Sequence, residues 1–209
     1  MKRFVVTIAR GYGSGGKQIG TKLAEALGVK LIDKELLQLA SIESGINEAL
    51  FSLADEKIRR GVFPLLGKRT VHVNGLLDPE DELFLTDENL FQYQARILRL
   101  LSNSEAFVVI GRAADHILRD YPNVISVNIQ ASFEDCVNSI MERAKFERKA
   151  AEKAVKSTDK HRSDFYRHYT GKDWNDITNY DLCLNSSRIG REQCVEVIKA
   201  YLTMKLGIH

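Results

Sequence analysis

The feature that most constrains this chain is a glycine-rich segment, ARGYGSGGKQIG (9–20), which directly follows the apolar run FVVTI. Glycine loses more conformational freedom on folding than any other residue, so such a cluster favours turns or close backbone approach. The spacing Gly11-x4-Gly16-Lys17 is typical of a phosphate-binding loop, in which backbone N–H groups surround phosphates at a helix N-terminus. The segment therefore predicts a strand, a phosphate loop and a helix, in that order.

The predicted loop would bind ATP, and one of its positions departs from the pattern. Lys17 is the predicted catalytic cation, because it would place positive charge on the β- and γ-phosphates. Gln18 stands where the pattern has Ser or Thr, whose hydroxyl usually binds Mg²⁺. We expect Mg²⁺ to arrive with ATP and to be held by phosphates and water. The predicted ATP-binding residues are Gly11, Gly13, Ser14, Gly15, Gly16, Lys17 and Gln18.

The rest of the pattern predicts one α/β domain. Short apolar runs alternate with amphipathic helical segments, which favours a five-stranded parallel sheet of the P-loop NTPase type with helices on both faces. A helical pattern also covers 34–60, and 61–87 is an irregular excursion. The predicted strands are residues 4–9, 29–33, 106–111, 123–129 and 180–185, and the clearest predicted helices are 17–27, 88–102 and 191–207.

Composition limits the function classes. The 209 residues are 44% hydrophobic and carry a net charge of +2, so global charge does not indicate a nucleic-acid partner. No apolar stretch is long enough for a membrane helix. The three cysteines have no C-x-x-C spacing, and the five histidines have no metal-ligand spacing. These features predict a cytoplasmic protein.

Two further segments occur with the loop: VVIGRAADHIL (108–118) and DKHRSDFYRHYTGKDWNDITNYDLCLNSSRIG (159–190). Together the three segments resemble the cytidylate kinase-like family over residues 4 to 199. The resemblance implies two moving parts within one kinase domain, an acceptor-binding region at 34–105 and a lid-like basic region at 140–172. It also implies transfer of the γ-phosphoryl group of ATP to CMP or dCMP.

The same resemblance implies an acceptor site. Arg112 resembles the arginine that follows the third strand and faces the acceptor, and Asp159-x-x-Arg162 resembles the D-x-x-R that also contacts it. Asp33 lies at the end of the second strand, as in that family. Asp115 is a further candidate, either as a Mg²⁺ ligand through water or as a cap of the neighbouring helix.

The basic stretch 143–169 supplies two further predicted catalytic residues, Arg143 and Arg148. Both could reach the phosphates when a lid closes, since arginine's planar fork suits phosphate oxygens. The alternative is a solvated basic helical face. Cys136 and Ser139 stand where the resemblance leads us to expect arginines.

Three functions remain open at this level. The first is an ATP-dependent nucleoside monophosphate kinase. The second is a P-loop kinase for another small metabolite, and the third is a nucleotide-binding regulatory protein with little turnover. Gln18 and the absent arginines keep the third interpretation open.

Overall fold

Five parallel strands form the centre of the protein. In the computed structural model, which describes residues 3–33 and 87–208, the strand order is β2-β3-β1-β4-β5. Every strand pair is parallel, so each connection crosses over the sheet. The predicted five-stranded parallel sheet is confirmed. The strands are β1 (Val5–Arg10), β2 (Lys30–Ile32), β3 (Phe107–Ile110), β4 (Val124–Gln130) and β5 (Leu182–Asn185).

Helices follow the strands in alternation. The basic stretch forms two helices, because Lys145 adopts a left-handed backbone with φ of 55° between them. The second of these ends at Gly171, which is also left-handed. A short 3₁₀ turn covers Ile177–Asn179. The helices described are α1 (Gly16–Leu27), α2 (Asp87–Ser104), α3 (Ala114–Ile117), α4 (Phe133–Ala144), α5 (Arg148–Thr170), α6 (Ser186–Ile189) and α7 (Arg191–Leu206).

The main core lies against β1. Consecutive side chains of a strand point to opposite faces, and Val5, Val6 and Thr7 are all at most 1% exposed. Both faces of β1 are therefore covered, which is why its sequence is a continuous apolar run. On one face, apolar residues of α1 and α7, including Leu23 and Ile198, pack with the strands.

A second, smaller core joins α4 to α5. Cys136, Val137 and Ile140 of α4 are buried with Ala151 and Val155 of α5. Tyr12 of the phosphate loop packs against the same cluster. This packing attaches the long basic helix to the loop and so determines which of its side chains reach the loop.

The chain divides into two compact units, residues 1–33 with 101–209, and residues 34–100. Of the second unit, the structure describes only the part of α2 before residue 101. The predicted helical stretch 34–60 lies outside the described residues, as does 61–87 apart from Asp87. None of the helices described is both long and apolar enough to cross a membrane.

Candidate active site

The phosphate loop leaves no space for side chains at its glycines. Gly13 has a φ of 92°, and a Cβ there would lie 2.5 Å from the backbone oxygen of Cys136. Gly15 has a φ of 80°, and a Cβ there would lie 2.6 Å from Nε of Arg191. A Cβ on Gly16 would meet the side chain of Arg10 at 2.5 Å. The closely packed backbone is the reason for the glycine cluster.

Serine hydroxyls hold the loop in this conformation. Ser14 is buried, and its Oγ donates a hydrogen bond to the carbonyl of Gly11 at 2.9 Å. Ser186, at the start of α6, donates to the carbonyls of Ser14 at 2.7 Å and Gln130 at 3.1 Å. The Ser14 hydroxyl therefore shapes the loop.

Two predicted site residues meet in an ion pair. Lys17, in the first turn of α1, places its Nζ 2.6 Å from Oδ2 of Asp33, which follows β2. Gln18, the next residue, is exposed. The carboxyl end of β2 thus supplies a counter-ion for the lysine, and a bound phosphate would compete with that carboxylate.

The D-x-x-R segment of α5 binds the phosphate loop itself. Oδ1 of Asp159 accepts a hydrogen bond from the Tyr12 N–H at 2.7 Å, and Nη1 of Arg162 donates to the Arg10 carbonyl at 2.8 Å. Nη1 of Arg162 also lies 3.4 Å from Oδ1 of Asp159. Burial raises the pKa of Asp159 and lowers the pKa of Arg162. Both predicted residues therefore lie at the loop.

The ring of Tyr12 contacts two arginines. The guanidinium carbons of Arg143 and Arg162 each lie 5.5 Å from its centroid, within the range of a cation–π interaction. Arg143, one of the two predicted catalytic arginines, is thereby placed beside the loop.

Arg148, the other predicted catalytic arginine, has different partners. Its two terminal nitrogens donate to the carboxylate of Glu134 at 2.8 and 2.7 Å, and its Nε donates to Glu152 at 3.0 Å. Both ion pairs are at the surface; the pair with Glu134 joins the starts of α4 and α5, and the pair with Glu152 lies within α5. To reach a phosphate, Arg148 would have to leave both carboxylates.

Arg10 is a site residue that the sequence analysis missed. It ends β1, and its guanidinium lies against Gly111, where a Cβ would overlap Nη1. Burial, together with the positive charges of Arg162 and Arg112, lowers its pKa to about 9. The available signal was its position, since ligands of parallel sheets bind at the carboxyl ends of strands.

Arg112 follows β3 in a left-handed connection. Three consecutive residues, Gly111, Arg112 and Ala113, have φ values of 74°, 61° and 51°. This backbone is costly for residues that carry a Cβ, and such strain clusters at functional sites. Arg112 directly follows Gly111, against which the Arg10 guanidinium lies, so the backbone of Arg112 is next to the site.

Asp115 is placed in a buried contact with α5. Its Oδ2 accepts a hydrogen bond from the Tyr166 hydroxyl at 2.6 Å. Burial raises the pKa of Asp115 to about 6. Six residues apart in sequence, the Tyr180 hydroxyl donates to the Trp174 carbonyl at 2.8 Å, and the rings of both residues are buried. These aromatic residues pack the end of α5.

Cys136, one of the two positions expected to carry an arginine, has another use. Cys136 is 4% exposed within the core between α4 and α5, and burial raises the pKa of its thiol to about 11. An arginine there would bury a charge in an apolar cluster. Within residues 3–33 and 87–208, no three His, Cys, Asp or Glu side chains form a metal-binding group.

Solved structures share this fold. An uncharacterized protein from Eubacterium ventriosum ATCC 27560 is 25% identical, with a TM-score of 0.69 over 96% of this chain and 98% of that one. Shikimate kinase from Bacteroides thetaiotaomicron is 13% identical, with a TM-score of 0.52 over 96% and 99%. A sugar kinase from Janibacter sp. HTCC2649 is 14% identical, with a TM-score of 0.51 over 99% and 96%. No match was found among curated proteins.

The family comparison covers most of the chain. Residues 5–188 match the cytidylate kinase-like family. This span contains all five strands, the phosphate loop, Arg112 and the Asp159–Arg162 pair. The protein has the P-loop kinase fold, and it belongs to the cytidylate kinase-like family.

Proposed function

We propose that this protein transfers the γ-phosphoryl group of ATP to a nucleoside monophosphate, with CMP or dCMP as the leading acceptor. An oxygen of the acceptor phosphate would bond to the γ-phosphorus while the bond to the β–γ bridging oxygen breaks. The products would be a nucleoside diphosphate and ADP. The transfer needs in-line positioning and positive charge around the transferred group.

The observation that carries the proposal is the phosphate loop with cationic side chains close to it. Gly13, Gly15 and Gly16 allow the backbone to approach phosphates, and Lys17 stands at the helix start. Arg112 and Arg162 would bind the acceptor, as proposed from the family resemblance. Arg162 donates to the Arg10 carbonyl at 2.8 Å, and Arg112 directly follows Gly111, against which the Arg10 guanidinium lies. These positions support a shared anion site.

Mg²⁺ would be bound chiefly by the ATP phosphates and water. Gln18 follows Lys17 directly and is exposed, so its amide oxygen is a candidate protein ligand. Asp33 is a second candidate, because its carboxylate already lies 2.6 Å from the lysine. Mg²⁺ commonly keeps several waters and uses few carboxylates, which fits this small set of oxygens. The ion would neutralise charge that develops on the phosphates.

A coupled assay that measures ADP formation tests the proposal. The acceptor panel contains CMP, dCMP, UMP and AMP, and shikimate and simple sugars represent other small metabolites. We expect Lys17→Ala to lower turnover at least tenfold, because it removes the cation nearest the β- and γ-phosphates. Lys22→Ala is the matched control, since Lys22 lies on the same helix and pairs with Glu192.

Acceptor selectivity gives a second readout. Arg112→Ala should raise the KM for the acceptor more than the KM for ATP. Arg162→Ala should raise both, because Arg162 also binds the backbone of the phosphate loop. Turnover with a sugar or shikimate alone would instead indicate a small-metabolite kinase. ATP binding without turnover on any acceptor would indicate a nucleotide-binding regulatory protein.

The regulatory interpretation has specific structural support. The α4 helix presents the backbone of Cys136 to the phosphate loop, at a position where an arginine side chain was expected. Fewer cations would then surround the transferred group. The ATP-binding and turnover arms of the assay separate this interpretation from the kinase.

A further inference from the structure

Arg10 lies between the phosphate loop and the end of β3. Its Cβ and Cγ pack at Gly16, where an added Cβ would meet them at 2.5 and 2.9 Å. Its guanidinium extends to Gly111, where only a glycine leaves space for Nη1. Two glycines in separate segments thus accommodate one arginine side chain.

The Arg10 guanidinium has two like-charged neighbours among the described residues. Arg112 and Arg162 both act on Arg10 as like charges, and Asp33 and Asp159 act as opposite charges. Each carboxylate already has a cationic partner, Lys17 for Asp33 and Arg162 for Asp159. Among the described residues, neither carboxylate therefore forms an ion pair with the Arg10 guanidinium. Neighbouring like charges are unfavourable unless an anion joins them.

The side chain of Arg10 extends toward one side of the phosphate loop. β1 lies between β3 and β4 in the sheet. On the β4 side, Gly11 faces Gln130 and Gly15 faces Arg191. Arg10 extends to the other side, where Gly111 follows β3 and Asp33 follows β2. Arg112, one of the proposed acceptor residues, directly follows Gly111 on that side.

We infer that Arg10, together with Arg112 and Arg162, binds an oxyanion of the phosphoryl acceptor. The acceptor is then an anionic small molecule that carries a phosphate or a carboxylate. The identification of the ligand as a phosphoryl acceptor rests on the proposed kinase function. The existence of the anion site does not. The planar fork of arginine suits either oxyanion, because both present two oxygens at matching spacing.

Binding calorimetry with the phosphate loop saturated by a non-hydrolysable ATP analogue and Mg²⁺ tests this inference. The probes are CMP, cytidine, inorganic phosphate and acetate. Arg10→Met keeps much of the aliphatic stem and removes the charge, and Arg10→Lys keeps a cation without the fork. Arg119→Met is the matched control, because Arg119 is an exposed arginine that pairs with Asp120.

We expect wild type to bind CMP at least tenfold more tightly than cytidine. Arg10→Met should weaken CMP binding about tenfold to a hundredfold, as for loss of a charge-assisted hydrogen bond. Arg10→Lys should weaken it less, and it serves as the test if the methionine variant does not fold. Affinity for the ATP analogue should stay within about twofold in both, because the loop backbone is retained.

The outcomes separate the two proposals. If wild type binds no nucleoside monophosphate, but binds phosphate or acetate through Arg10, the anion site stands and the proposed acceptor class is wrong. Unchanged affinity of Arg10→Met for every anion that wild type binds would overturn the inference, whatever the turnover. Absence of anion binding in wild type would overturn it as well.

Discussion

The buried carboxyl of Asp115 makes a quantitative prediction about stability. Asp115 is 7% exposed, and burial raises the pKa of its carboxyl from 3.8 to about 6. The hydrogen bond from Tyr166 opposes this rise. A carboxyl with a raised pKa binds its proton more tightly in the folded state. Its contribution to the free energy of unfolding is therefore fully present below pH 3.8 and is lost as the pH rises through 6.

The magnitude follows from the shift. At roughly 1.36 kcal/mol per pKa unit, the full loss is about 3 kcal/mol. Asp115→Asn removes the titrating proton and keeps an oxygen that can accept from Tyr166. The stability of the variant relative to wild type should therefore increase by about 2 kcal/mol between pH 4 and pH 7. Any constant cost of the buried amide cancels in this difference.

Urea unfolding at pH 4, 5, 6 and 7 measures the effect. The single tryptophan, Trp174, is 6% exposed and provides a fluorescence signal from the same packed region. Asp120→Asn is the control, because its side chain is 83% exposed and a surface change should alter stability by less than about 0.5 kcal/mol. Tyr166→Phe should raise the pH at which the stability contribution of Asp115 is lost, since it removes the hydroxyl that lowers the carboxyl pKa. Parallel pH curves for wild type and Asp115→Asn would refute the reasoning.

Three further predictions concern the phosphate loop and the basic helices. Gly13→Ala should weaken ATP binding at least tenfold in calorimetry, because φ of 92° is unfavourable for alanine and the Cβ would meet the Cys136 carbonyl. Gln18→Ser should keep or raise turnover and lower the Mg²⁺ concentration required, whereas collapsed turnover would show an active role for the glutamine. Arg143→Met should reduce kcat more than Arg148→Met, since only the former contacts the loop ring; the reverse order would mean that Arg148 leaves its carboxylate partners during turnover.

The sequence by itself determined the features that are local in the chain. A continuous apolar run before glycines predicts β1 and the loop, because a strand buried on both faces needs no polar alternation. The spacing from Gly11 to Lys17 predicts the phosphate loop, because its geometry lies within a few consecutive residues. Strand and helix alternation predicts the parallel sheet for a similar reason, since parallel strands need crossovers.

Only the tertiary structure decided which distant residues complete the site. The Tyr12 N–H and Asp159 are 147 residues apart in sequence, and the Arg10 carbonyl and Arg162 are 152 apart. Such contacts depend on how α5 packs on α4, which no local pattern encodes. Arg148 illustrates the same point, because its side chain is in a basic segment but pairs with carboxylates.

Arg10 and Asp115 show what sequence spacing leaves open. Arg10 directly follows the predicted strand 4–9, and its role depends on the glycine that follows β3 about a hundred residues later. Asp115 reads as a site carboxylate, yet its partner is a tyrosine of α5. A side chain's chemistry is set by the charges and the solvent around it, and folding brings those together from separate segments.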